Sequence, residues 1–217
     1  YMKHVILGVE KFQNEVFPGK RAEFERLANG QSPEVLFITC SDSRIDPNLV
    51  TQTEPGDLFI CRNAGNVIPP HSNVTGGMTA SIEFAVAALG VTHIVVCGHT
   101  DCGAMKGALS PQKLDSLPHV KEWLSHCRVA TEVVKERTGS AELDDNHLEE
   151  VTKENVVQQI QHLRTHPAVA AKLAAGRIQL HGWVYNIETG GVLCYDDKTR
   201  EFPPVNQQPG GSDAATS

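Results

Sequence analysis

The sequence has no long apolar run, no excess of positive charge and no internal repeat. No stretch approaches the roughly 20 apolar residues that a membrane-spanning helix needs, so a membrane location is not expected. The formal net charge is −7 and the basic residues do not cluster, which argues against nucleic acid as a partner, because phosphate binding depends on Lys and Arg. A hydrophobic content of 40% is typical of an ordinary globular protein.

Cysteine is too sparse for a disulfide scaffold. The 217 residues contain six cysteines, and their spacing matches no secreted framework. Four of them lie in apolar, strand-like runs, where buried free thiols are common: Cys40, Cys61, Cys97 and Cys194. We therefore expect a reducing compartment. The cytoplasm is favoured, while an organelle stroma or a carboxysome stays open.

Strand-like and helix-like patterns alternate along the chain, which predicts an α/β fold. We expect a mostly parallel central sheet of four strands plus an antiparallel C-terminal edge strand, flanked by helices. The predicted strands are residues 35–39, 58–61, 93–97, 178–185 and 192–195. The predicted helices are residues 3–17, 20–28, 76–89, 103–109, 118–137 and 143–165. Residues 1–206 are expected to form one domain with an N-terminal helical arm, and residues 207–217 a low-complexity tail.

Two short polar blocks follow predicted strands, and they contain the candidate functional residues. The first block is Cys40-Ser-Asp-Ser-Arg44, and the second is His99-Thr-Asp-Cys102. The carboxyl ends of parallel strands share one edge of a sheet, so the two blocks can meet there. Taken singly, Cys40 has the alternative interpretation of a core thiol, and the spacing of His99 and Cys102 has that of a coincidence. Taken together, they predict a site for one Zn²⁺ per chain, with a fourth coordination position open.

Asp42 and Arg44 allow more than one interpretation. A salt bridge between them at a surface would contribute little. Beside a metal, a carboxylate held ionised by a guanidinium can instead orient a water molecule. The same carboxylate could also occupy the fourth metal position and close the site, and the sequence does not choose between these states.

These residues resemble the β-class carbonic anhydrases, in which Cys-x-Asp-x-Arg is followed by His-x-x-Cys. The resemblance extends from about residue 3 to about residue 203. Further matching stretches are Gln31-Ser-Pro33, Pro55-Gly-Asp-Leu-Phe59, Arg62-Asn-Ala-Gly-Asn66, Gly76-Gly77 and His181-Gly-Trp183. The resemblance implies that Cys40, His99 and Cys102 bind zinc, and that Asp42 and Arg44 control the catalytic water.

The family contains plant-like members with an open zinc site and others that bicarbonate switches off. Two features favour the plant-like subgroup here. Gln31 stands where a glutamine positions substrate in that group, and Phe37 replaces the bicarbonate-pocket tryptophan of the switched group. Together with Gln31, the expected substrate pocket comprises Phe59, Val67, Phe84 and Gly103.

The activity implied by the resemblance is that of a lyase, the zinc-dependent reversible hydration of carbon dioxide to bicarbonate and a proton. His71 is a candidate for carrying the proton to solvent. The resemblance also implies a homodimer or homotetramer. Two alternatives stay open: a carbon disulfide or carbonyl sulfide hydrolase of the same fold, and a non-catalytic zinc-binding protein.

Overall fold

The computed structural model describes residues 1–207, so most of the predicted tail lies outside the described residues. The chain divides into two compact units, Tyr1–Ser32 and the part from Pro33 onwards. The first unit is helical: α1 (Met2–Lys11) continues through a π-helical turn (Phe12–Val16) into α2 (Phe17–Leu27). The two helices predicted here are therefore joined without a break. None of the residues of α1 is buried.

The second unit is built on a five-stranded sheet in the order β2-β1-β3-β4-β5. Its strands are β1 (Val35–Cys40), β2 (Leu58–Asn63), β3 (His93–His99), β4 (Gln179–Tyr185) and β5 (Val192–Cys194). The first four strands are parallel and β5 is antiparallel to β4. The fold class predicted from the sequence is confirmed.

The strand ends differ from the prediction in a way that matters for the site. β1 extends to Cys40 and β3 extends to His99, where pairing with Asn63 and Tyr185 continues the ladder. The sequence predicted that these strands end at residues 39 and 97. The sequence prediction ended each strand where its apolar run ended. Main-chain hydrogen bonding does not depend on the side chains, so strand pairing continues past that point.

Seven α-helices of the second unit lie within the described residues. They are α3 (Pro47–Thr51), α4 (Gly77–Glu83), α5 (Gly103–Leu109), α6 (Pro118–Leu124), α7 (Arg128–Thr138), α8 (Leu148–Arg164) and α9 (Pro167–Ala174). A π-helical turn (Phe84–Leu89) extends α4, and a 3₁₀ turn (Ser125–Cys127) separates α6 from α7. The sequence prediction missed α3 and α9. Both begin with a proline, which suits the first helical position because its missing N–H needs no partner there.

Helix α8 packs on β3 and β4 and forms the main core. Val156, Ile160 and Leu163 of this helix join a buried cluster with residues of the sheet. Glycine is required at Gly182, because a Cβ there would lie 2.8 Å from Ile160 Cδ1 and 2.9 Å from Val156 Cγ1. The close approach fixes α8 against the strands that end at the candidate site. Within residues 1–207, no helix combines the length and apolar character needed to cross a membrane.

Candidate metal centre

Three side chains converge at the carboxyl edge of the sheet. Cys40 ends β1 and His99 ends β3, two strands that pair directly. Cys102 follows three residues later at the start of α5, after Asp101 turns the chain with a φ of 55°. One ligand atom from each of the three residues lies within 4.8 Å of the other two. The Sγ atoms of Cys40 and Cys102 are 3.9 Å apart.

The ligand trio (Cys40, His99 and Cys102) has the chemistry of a zinc site. The three residues are 5%, 0% and 1% exposed. His99 Nδ1 donates to the Thr100 carbonyl at 2.8 Å, so in the neutral ring Nε2 carries the lone pair. Nε2 is buried and has no hydrogen-bond partner. Because a buried acceptor without a partner is costly, this atom calls for a ligand, and the Cys₂His set suits Zn²⁺.

The two thiols behave as a coupled pair. Their mutual hydrogen bond lowers the pKa of Cys40 and raises the pKa of Cys102, since the proton shared between them stabilises one thiolate at the expense of a second. Burial adds to the rise at Cys102. A divalent cation held by Cys40 and Cys102 would remove this conflict, because it would attract both thiolates.

Asp42 is held by Arg44 in a two-pronged ion pair. Arg44 Nε donates to Asp42 Oδ1 at 2.9 Å and NH2 donates to Oδ2 at 2.8 Å. The Arg44 backbone N–H also donates to Oδ1 at 2.9 Å. These bonds hold the pKa of the Asp42 carboxyl well below its usual range. Asp42 Oδ2 lies 3.8 Å from His99 Nε2, so the carboxylate stands directly beside the ligand trio.

Asp101 ties the two sequence blocks together, a role that the sequence analysis missed. Its Oδ2 accepts from Arg44 NH1 at 2.9 Å, and its carbonyl accepts from Arg44 NH2 at 3.1 Å. Lys106 pairs with the other carboxylate oxygen. The signal available in the sequence was its place between His99 and Cys102, but only the fold brings it opposite Arg44.

Arg62 was likewise not assigned a role from the sequence. Its guanidinium donates to three carbonyl groups of the chain that follows β1, those of Cys40 at 3.0 Å, Asp42 at 2.7 Å and Ile45 at 2.8 Å. This clamp fixes the backbone that carries both a ligand and the carboxylate. In the sequence, Arg62 was marked only by its place in a stretch that matches the family.

The predicted pocket residues fall in different places. Val67 is fully buried in the same apolar cluster as Cys40 and Cys102, and Gly103 directly follows Cys102 at the start of α5. Phe59 and Phe84 contact each other, with ring centroids 6.0 Å apart, and Phe59 packs against the separate cluster around α8. The pocket roles of these residues stay predictions.

Gln31 and His71 were also predicted to act at the site. Gln31 belongs to the N-terminal unit and is exposed. The backbone N–H of His71 donates to Thr165 Oγ1 at 2.8 Å, and its ring lies against that of His166, with centroids 5.9 Å apart. The roles proposed for both residues likewise stay predictions.

Comparison with known proteins decides the family. The sequence profile described as carbonic anhydrase matches residues 35–192, which include the ligand trio, Asp42 and Arg44. The solved structure of the β-carbonic anhydrase CcaA resembles this chain with a TM-score of 0.90 at 45% identity, covering 94% of this chain and 98% of that one. The chain belongs to the β-carbonic anhydrase family. The family predicted from the two motifs is therefore confirmed.

Two further relatives are similar over most of their length. Carbonic anhydrase 1 of Escherichia coli O157:H7 is 50% identical over 96% of this chain and 94% of its own. A structure described among two tetrameric β-carbonic anhydrases of Sordaria macrospora has a TM-score of 0.71 at 31% identity, covering 89% of this chain and 92% of that one. The similarity to these β-carbonic anhydrases therefore covers both the sheet and the helices around it.

Proposed function

We propose that the protein catalyses the reversible hydration of carbon dioxide at a Zn²⁺ ion held by Cys40, His99 and Cys102, with Asp42 and Arg44 controlling the reacting oxygen. The observation that carries this proposal is the buried His99 Nε2, which lacks a hydrogen-bond partner and lies 3.8 Å from an ionised carboxylate. Zinc, when bound, lowers the pKa of a water ligand and so supplies hydroxide at moderate pH.

Asp42 determines which groups the site accepts beside the metal. Both of its oxygens are engaged by Arg44, so the carboxylate stays ionised and can only accept hydrogen bonds. An oxygen that carries a proton is therefore favoured next to Asp42 Oδ2, and its remaining lone pairs are turned away from the carboxylate. This orientation suits attack on the carbon of a small apolar substrate.

Carbon dioxide carries no charge, so its pocket should be small and apolar. Val67 and Gly103 suit this role because both adjoin the ligands, Val67 through the shared apolar cluster and Gly103 through the chain. Phe59 and Phe84 belong to the proposed pocket on the strength of the family resemblance, which also implies a substrate-positioning role for Gln31. His71 remains the proposed route for the proton to solvent.

We assign the site to the plant-like open subgroup. The two-pronged bond between Asp42 and Arg44 supports this assignment, because it competes with any coordination of the carboxylate to the metal. Phe37 is buried and packs edge-on against Trp183, with ring centroids 5.9 Å apart. Initial rates should then depend hyperbolically on bicarbonate concentration, and a sigmoidal dependence would contradict the assignment.

A homodimer or homotetramer is proposed from the surface of α1. Its apolar residues are exposed in the single chain, Ile6 at 53%, Leu7 at 52% and Val9 at 51%. Such a surface is typical of a helix that packs on another subunit, and the Sordaria macrospora relatives are described as tetrameric. Light scattering at micromolar concentration should give a mass of two or four chains. A monomer would refute the proposal.

A reducing compartment, with the cytoplasm favoured, is proposed from the cysteines. All six are free and buried. Burial raises the pKa of Cys97 and of Cys127 to about 12, so these thiols remain protonated and unreactive.

The decisive experiment is stopped-flow hydration of carbon dioxide, with zinc stoichiometry measured on the same sample. We expect one zinc per chain and a turnover that disappears with the metal. Carbonyl sulfide and carbon disulfide should be tested under the same conditions. Full zinc occupancy without carbon dioxide turnover would overturn the proposed activity and leave those substrates or a non-catalytic zinc protein.

A further inference from the structure

A chain of hydrogen bonds connects helix α8 to one of the proposed zinc ligands. The backbone N–H of Gly65 donates to Cys40 Sγ at 3.3 Å. The carbonyl of the same glycine accepts from Asn155 Nδ2 at 3.1 Å. Asn155 Oδ1 in turn accepts from Gln159 Nε2 at 2.9 Å, and Gln159 Oε1 accepts from the Ile68 N–H at 2.7 Å. The loop beside Cys40 is thus bonded at both Gly65 and Ile68 to two amides one turn apart on α8.

The orientation of the two amide groups is fixed by the groups at the two ends of this series of hydrogen bonds. The Gly65 carbonyl can only accept a hydrogen bond, so Asn155 must present its Nδ2 there. The Ile68 N–H can only donate, so Gln159 must present its Oε1 there. The remaining atoms, Gln159 Nε2 and Asn155 Oδ1, are then a matched donor and acceptor. One orientation of both amides satisfies all partners.

Because both amides are buried, these hydrogen bonds are costly to break. Asn155 is 1% exposed and Gln159 is 0% exposed, so a lost bond cannot be replaced by bulk water. Gly65 has a φ of +83°, and a Cβ on it would lie 3.0 Å from both Ala104 Cβ and Met105 Cε. The backbone that donates to Cys40 is therefore held from one side by α5 and from the other by the amides of α8.

We propose that Asn155, oriented by Gln159, is a positioning residue of the metal centre: it holds Gly65 by its backbone carbonyl, so that the backbone N–H of the same residue is placed to donate to the Cys40 thiolate. The donated bond lowers the electron density on one of two sulfur atoms that lie 3.9 Å apart. This inference rests on the proposed zinc site and adds residues that do not touch the metal.

The test compares Asn155→Leu with Thr152→Val as a matched control. Thr152 lies on the same helix and is 3% exposed, but among residues 1–207 its hydroxyl bonds only to the Leu148 carbonyl within the helix. Both variants remove a buried polar group of α8, and only the first breaks the link to Gly65. The readouts are the zinc dissociation constant and the thiolate-to-metal charge-transfer band of the cobalt-substituted protein.

We expect Asn155→Leu to raise the zinc dissociation constant about tenfold, as loss of a partner to a ligand commonly does. Its charge-transfer band should move to longer wavelength, because a thiolate that loses a hydrogen bond gives up an electron more readily. Thr152→Val should leave both quantities at the wild-type values. Equal zinc affinity and equal band position in Asn155→Leu and wild type would overturn the proposal.

Asn155→Ala keeps the test decisive if the leucine variant does not fold. It removes the donor to Gly65 without adding a larger apolar side chain or a charge. The band should again move to longer wavelength, and an unchanged band would count against the proposal. If the wild type itself binds no zinc, the proposed function fails, whereas wild-type zinc binding with unaltered variants refutes the positioning role alone.

Discussion

The ligand trio and the Asp42–Arg44 pair lie at the same edge of the sheet, yet their exposure to water differs. The ligands are buried to 5% exposure or less, whereas the side chains of Asp42 and Arg44 are 16% and 43% exposed. A thiolate pair and an imidazole gain most from a cation where water does not compete. A carboxylate that must exchange partners during a reaction needs contact with solvent. The molecule satisfies both needs by ending β1 at Cys40 and turning the chain outward within two residues.

The largest expected effect separates the two sides of this comparison. Cys40→Ser and His99→Ala should each lose bound zinc, and with it all carbon dioxide hydration, because each removes one of three protein ligands. Zinc analysis after gel filtration, together with circular dichroism as a check of folding, measures the outcome. Normal zinc content in both variants would remove these residues from the ligand set.

Asp42→Ala should give the opposite combination, with zinc retained and turnover reduced about 100-fold, the lower range for a positioned hydrogen-bonding group. Arg44→Ala should act in the same direction by releasing the carboxylate. Stopped-flow rates and zinc content from one preparation measure both quantities. Near-normal turnover in Asp42→Ala would reduce the charged pair to a structural role.

Lowering the pH should destabilise the buried interior before it neutralises the carboxylate of the Asp42–Arg44 ion pair. The bonds from Arg44 keep the pKa of Asp42 low, so this carboxylate stays ionised at pH 5.5. Burial lowers the pKa of His166, which is 3% exposed. Below about pH 6.5, the usual histidine pKa, the unfolded state therefore binds more protons, and the free energy of unfolding falls as the pH falls toward the folded-state pKa.

Urea denaturation at pH 7.5 and 5.5 checks this prediction, with His166→Gln as the comparison. The amide of glutamine keeps a donor for the Pro69 carbonyl, which the histidine ring contacts at 2.9 Å, but it does not titrate. The loss of stability between the two pH values should be smaller in His166→Gln than in wild type. An identical loss in both proteins would show that His166 does not contribute.

The smallest effect is expected at Asp101. Asp101→Asn weakens an exposed ion pair with Arg44, while the backbone carbonyl of the same residue still accepts from that guanidinium. Exposed pairs contribute little, so turnover should change by no more than about threefold. A loss as large as that of Asp42→Ala would mean that Asp101 and Asp42 act as one unit.

Much of this arrangement was predictable from local patterns. The apolar runs before Cys40 and His99 predicted neighbouring parallel strands, and the residue types in the two blocks predicted a Cys₂His metal site. The strand ends were placed too early, because main-chain pairing continues beneath polar side chains. Asp101, Arg62 and Asn155 received no role, since nothing in their own sequence neighbourhood indicates the groups they contact.

The sequence by itself determined which atoms are available for the chemistry and at which edge of the sheet they lie, because strand patterning and ligand type are local properties. Only the tertiary structure decided which of those atoms meet. Gly65 and Asn155 are 90 positions apart along the chain, and their bond exists because α8 packs closely over glycine positions of the sheet. Close packing between distant segments depends on shapes that no single segment encodes.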